Sequence, residues 1–98
     1  MNFTINDLKV LSVLVSGDKY GLEIVQEVSE TGTTLLLGSL YNVLKKLENN
    51  GFVKSYWGDE VDERGGNRRK YYKITAKGQN AVEENQRAFG LMWGIQFS

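Results

Sequence analysis

Two short clusters hold the side chains best suited to chemistry, and the chemistry they suit is recognition. The first is Ser39, Tyr41, Asn42, Lys45 and Lys46. An asparagine can pair bidentately with an adenine edge, a lysine can reach guanine acceptors or phosphate oxygens, and hydroxyls of serine and tyrosine can donate to phosphates. The second is Arg64-Gly65-Gly66-Asn67-Arg68-Arg69-Lys70, four cations in seven residues. Its glycines allow close backbone approach, as a phosphate or minor-groove contact requires. Either cluster alone also fits an ordinary solvated surface. Their separation by one aromatic segment is what makes a joint role credible.

Reaction chemistry has little to work with. The chain has no cysteine and no histidine, so thiol nucleophiles, thiolate metal sites and the commonest general base are all absent. No spaced carboxylate pair stands out, and an enzyme is not expected. The acidic run Asp59-Glu60-Val61-Asp62-Glu63 lacks the alternating acids before a glycine that a calcium loop needs. Gly65-Gly66 lacks the lysine-serine/threonine ending of a phosphate-binding P-loop. Neither a metal nor a cofactor is expected.

Ninety-eight residues suit one small domain with a thin core. No apolar run approaches the ~18 residues of a membrane span and no signal-peptide pattern opens the chain, so a soluble cytoplasmic protein is expected. Net charge is zero, which argues against a nucleic-acid partner, but the distribution is uneven. Residues 1–44 carry two basic and five acidic groups, residues 45–77 nine and five, and residues 78–98 one and two. Positive charge is concentrated around the two clusters.

The elements that must position these clusters follow from periodicity. Thr4 to Val15 reads as a helix, with Thr4 and Asp7 as a capping box and Ile5, Leu8, Leu11 and Val15 at helical spacing. Tyr20 to Glu30 reads as a second helix, with Tyr20, Ile24 and Val28 on one stripe and Gly32 as a left-handed terminator. Thr33 and Thr34 can supply capping oxygens near the start of the third. That helix, residues 38–50, has Leu37, Leu40, Val43, Leu44 and Leu47 within about 60° of one direction. Gly38, Asn42, Lys45 and Asn49 lie opposite, and Gly51 closes it. Phe52 to Trp57 and Tyr71 to Thr75 read as strands, with the acidic and basic runs in the loop between them. Thr75 is the expected cap of a final helix from Ala76.

That last segment is apolar for a surface element. Val82, Phe89, Trp93 and Phe97 follow seven-then-four spacing, with Met92 beside them. Such a surface requires cover, either from the chain's own core or, as expected here, from a two-fold seam between copies. Trp93 at that seam is a candidate platform for a small planar apolar effector.

Three stretches, in order, resemble the PadR-like transcriptional regulators: Tyr20-Gly21-Leu22-Glu23-Ile24, then Gly38-Ser39-Leu40-Tyr41 running into Leu44-Lys45-Lys46-Leu47-Glu48-Asn49-Asn50-Gly51, then Arg69-Lys70-Tyr71-Tyr72-Lys73-Ile74-Thr75-Ala76-Lys77-Gly78. The chain departs from the family in carrying Leu35-Leu36-Leu37 where many relatives have serine or threonine and often proline, and Asn42 where proline is frequent. The resemblance implies a homodimeric DNA-binding repressor released by a small molecule or other signal. It further implies a recognition helix at 38–50, a basic wing at 64–70 and C-terminal helical dimerisation. The expected architecture is mainly α with a minor β part: a winged helix-turn-helix over residues 1–75 with a two-stranded wing, followed by a dimerisation helix over 76–98. The expected partner is double-stranded DNA, as an inverted repeat. The alternative is a winged-helix assembly adaptor that contacts only proteins.

Overall fold

The structure, a computed structural model, describes residues 2–61 and 68–93, with side chains described for all of these except residues 60, 61 and 89–93. The order is α1 (Ile5–Leu14), β1 (Lys19–Tyr20), α2 (Gly21–Glu30), α3 (Leu37–Asn49), β2 (Val53–Val61), β3 (Arg68–Ile74) and α4 (Ala76–Trp93). The strands form one antiparallel sheet in the order β1-β3-β2. Three helices packed with this small sheet make a winged helix, and α4 extends from it.

The start of α1 is built as its sequence suggests. Thr4 Oγ1 accepts from the Asp7 amide at 3.1 Å, and the Thr4 amide donates to Asp7 Oδ2 at 2.8 Å. The buried face differs from the expected stripe. Asp7, Val10, Leu11 and Leu14 point inward, while Ile5 and Val15 are exposed. Asp7 can take an inward position because its carboxylate is met by the Lys46 ammonium at 2.8 Å. The pair ties α1 to α3.

Tyr20 belongs to a strand, not to the second helix as its spacing suggests. Lys19 and Tyr20 pair with Tyr72 and Tyr71, adding a third strand to the expected two. Two residues are too few for any periodic signal. Lys19 is buried and gives its ammonium to the Val13 and Gly17 carbonyls, at 2.8 and 3.1 Å, and to Ser16 Oγ at 2.8 Å. A cation thus sits at the negative end of α1 and meets the Val13 carbonyl of its last turn.

On α3 the apolar stripe is Leu40, Val43, Leu44 and Leu47. Leu37 is exposed, and Leu35 is the member of the leucine triplet that enters the core. The expected threonine cap is not used: Leu36 is the N-cap residue and offers no side-chain bond. Thr33 Oγ1 is buried with no hydrogen-bond partner among the described residues. Gly32 and Gly51 do take positive φ, 86° and 80°, closing α2 and α3.

The sheet is locked to α4 at one junction. The Thr75 amide donates to the Phe52 carbonyl at 3.0 Å, and Thr75 Oγ1 donates to the Gly51 carbonyl at 2.7 Å while accepting from the Gly78 amide at 3.1 Å. Gly78 presses so close that a Cβ there would lie 2.7 Å from Ile74 Cγ1 and closer still to the Phe52 carbonyl. Both strands run further than expected, β2 through the first part of the acidic run. The register shifts between Trp57 and Val61, and the Tyr71 ring lies over Gly58, whose missing side chain makes room for it. An irregularity at a glycine lets the strand continue where sequence alone suggests a loop.

Candidate nucleic-acid interface

The core stripe of α3 leaves the opposite face outward. Tyr41, Asn42, Lys45 and Asn49 are exposed, and Ser39 is partly so. Of the two adjacent lysines, Lys45 is exposed and Lys46 only partly so. Lys46 was expected beside it, but its ammonium is committed to the fully buried Asp7. The first turn of α3 contains no acidic residue, so nothing there opposes an anion.

Pairing aims the wing. Val53 faces Ile74, Ser55 faces Tyr72, and Trp57 faces Lys70. These pairs share the sheet face turned toward α3, because Ser55 Oγ donates to Glu48 Oε2 of that helix. Successive residues alternate faces, so the row that begins in the core ends in Trp57 and Lys70, both exposed. Lys70 Nζ lies 5.9 Å from the rings of both Trp57 and Tyr72. Burial is the main cause that raises the Tyr72 phenol above its ordinary range, with Glu48 and Tyr41 adding to it.

Between α2, α3 and the wing lies a groove of about 450 Å³ whose walls include Leu22, Tyr41, Trp57, Arg68, Lys70 and Tyr72. Gly21 shapes it: a Cβ there would sit 2.9 Å from the Tyr41 hydroxyl, so the glycine lets that ring lie across the start of α2. Arg68 and Lys70 bring positive charge to one wall, while Tyr41 and Trp57 offer flat apolar surface with polar edges. A sugar-phosphate strand has complementary chemistry.

The other sheet face orients the wing. Tyr20 and Tyr71 meet edge to face at 5.6 Å, and Tyr71 stacks on Tyr56 at 5.8 Å. The Arg69 guanidinium lies 4.7 Å from the Tyr20 ring centre. The Tyr56 hydroxyl donates to Asp18 Oδ2 at 2.5 Å, tying the wing to the α1–α2 turn. That bond is the main reason the Tyr56 phenol is pushed up to about 12.

Of the expected interface residues, the structure brings Tyr41, Arg68, Arg69 and Lys70 to one groove, and leaves Ser39, Asn42 and Lys45 along the outer side of α3. Arg64 and Asn67 lie outside the described residues, as do Phe97 and the side chains of Phe89, Met92 and Trp93. Val82, expected at a seam, is buried within the protomer and lines a shallow groove of about 320 Å³ between α1 and α4 with Ser12, Val15 and Gln79. Gly21, Leu22 and Trp57 were not among the expected interface residues. The only signal for Trp57 is a large aromatic residue at the end of a strand-like run, and that signal does not distinguish a wall from a core.

Known proteins resemble this chain in sequence and in fold. Residues 10–84 match the Transcriptional regulator PadR-like family. An uncharacterized protein of Lysinibacillus sphaericus is 36% identical over 81 residues, covering 80% of this chain and 72% of its own. Among solved structures, a PadR family transcription regulator from hypervirulent Clostridium difficile superposes with a TM-score of 0.83 at 33% identity, covering 94% of each chain. A transcriptional regulator from Clostridium thermocellum gives 0.77 at 31%, covering 92% of this chain and 84% of its own. The complex hsRosR-S1 gives 0.73 at 30%, covering 92% and 75%. Among the described residues no helix is long and apolar enough to cross a membrane. With 75 consecutive positions inside the family model and the fold shared over 94% of the chain, it belongs to the PadR-like family of transcriptional regulators.

Proposed function

We propose that this regulator binds duplex DNA as a homodimer and represses transcription until a small molecule or other signal releases it. In this reading α3 enters the major groove with Ser39, Tyr41, Asn42 and Lys45 toward the bases and nearby backbone. The wing, residues 64–70, lies along the adjacent phosphates. The observation that carries it is the groove beside α3, where Arg68 and Lys70 of the wing stand across from Tyr41. Residues 76–98 join two copies, and an effector, small, planar and apolar, occupies the seam near Trp93. A two-fold dimer then calls for an inverted repeat with half-site centres about 34 Å apart.

The experiment is a titration of the full chain with duplex DNA at two salt concentrations, with sedimentation of the free protein alongside. Binding that weakens steeply with salt, by a slope near −0.9 per phosphate neutralised, supports the reading. A protein with no affinity for any duplex in dilute buffer is instead an adaptor, the reading that zero net charge favours.

A further inference from the structure

The leucine triplet at the start of α3 is divided by the fold. Leu35 is buried, but Leu36 is 75% and Leu37 41% exposed, at the cap and first position of the helix. Large apolar side chains at the tip of a helix are a cost in water unless something covers them. Tyr41 and Lys45 follow Leu37 at successive four-residue steps, so the three form one exposed row along α3. Tyr41 carries that row into the groove walled by Arg68 and Lys70. The row therefore begins apolar at the helix tip and ends cationic at Lys45, with Tyr41 between them facing the groove. Beside Leu37, Gly38 presents no side chain, and a Cβ there would meet nothing within 4 Å. The helix tip can thus approach a surface closely.

A surface that is apolar at the depth of the helix tip and anionic at its edges matches the major groove of duplex DNA. Its floor displays the thymine C5-methyl and its rims are phosphates. We infer that Leu36 and Leu37 determine sequence preference by packing on thymine methyl groups. The inference rests on the DNA-binding reading above and names what one part of that site selects. Tyr41 and the wing cations hold the backbone while the two leucines favour a thymine over cytosine, which offers no methyl there.

The test uses the full chain and a duplex that the wild-type protein enriches from a random pool. That duplex is compared with a copy in which every thymine is replaced by deoxyuracil, which removes the methyl and leaves base pairing unchanged. The wild-type chain should bind the deoxyuracil copy more weakly, roughly fourfold for each methyl contacted. The double variant Leu36→Ala, Leu37→Ala should bind the two copies equally. Leu37→Met, which stays apolar, should keep most of the preference. Thermal melts of each variant show that the fold is intact, and both leucines are exposed enough for truncation to be tolerated. Equal wild-type binding to both duplexes overturns the inference and leaves DNA binding standing, with the leucines then fitting a protein partner. An undiminished deoxyuracil penalty in the double variant overturns it too. Failure to enrich any duplex overturns the underlying reading instead.

Discussion

Gly38→Ala separates what the fold wants from what the interface wants. Gly38 is the second residue of α3, its φ is not positive, and a Cβ there would point into open space. Nothing in the protomer needs a glycine at this position. Alanine should therefore stabilise the free protein, through higher helix propensity and a less disordered unfolded chain, by about 0.5–1 kcal/mol. For a chain of this size that raises Tm by roughly 2–8 °C. The same methyl should weaken DNA binding if α3 enters a groove on this face, because it stands between the helix backbone and the base edges. Losing one close base contact costs about 1–3 kcal/mol. The assays are a thermal melt at fixed protein concentration, since dimerisation makes Tm concentration-dependent, and an anisotropy titration on a selected duplex. Opposite signs in the two assays are the expected result. A stabilised variant that binds as tightly as wild type places the first turn of α3 away from DNA. A destabilised variant refutes the packing argument itself.

Gly78→Ala should act only on the fold. Its Cβ would meet the Phe52 carbonyl and Ile74, so a loss of about 1–3 kcal/mol is expected in denaturant melts, and an unchanged midpoint contradicts that close packing. The adjacent lysines should part company: Lys45→Met flattens the salt slope of DNA binding by about one unit. Lys46→Met mainly destabilises, by about 1–3 kcal/mol, because it strands the buried Asp7 carboxylate; a similar slope change for both lysines argues against the ion pair. Tyr56 supplies a pH signature. Its folded pKa of about 12 lies above the ordinary 10.0, so stability from the Asp18 bond is fully present below pH 10 and lost as pH rises toward 12. Ultraviolet titration of wild type against Tyr56→Phe should show one tyrosine ionising late, and its ionising near 10 would mean that the hydroxyl does not reach Asp18.

Features set by neighbours in sequence were legible without a structure. The Thr4–Asp7 box, the Leu40–Val43–Leu44–Leu47 stripe, the positive backbone angles of Gly32 and Gly51 and the capping role of Thr75 depend on residues only a few positions apart. So do the order of the four helices and the two wing strands, and the motifs that mark the family. Which exposed residues form an interface depended on contacts between elements that local spacing does not encode. The crossing of α1 over α3 turned Asp7 inward to meet Lys46, removing one lysine from the outer row. The pairing of β1 with β3 drew Tyr20 off its helix, and the β2–β3 register set Trp57 beside Lys70. Core packing admitted Leu35 and left Leu36 and Leu37 outside, although helical spacing put Leu37 on the buried stripe. Periodicity names the face a segment can bury; the angle and register at which segments meet decide which residues remain for a partner.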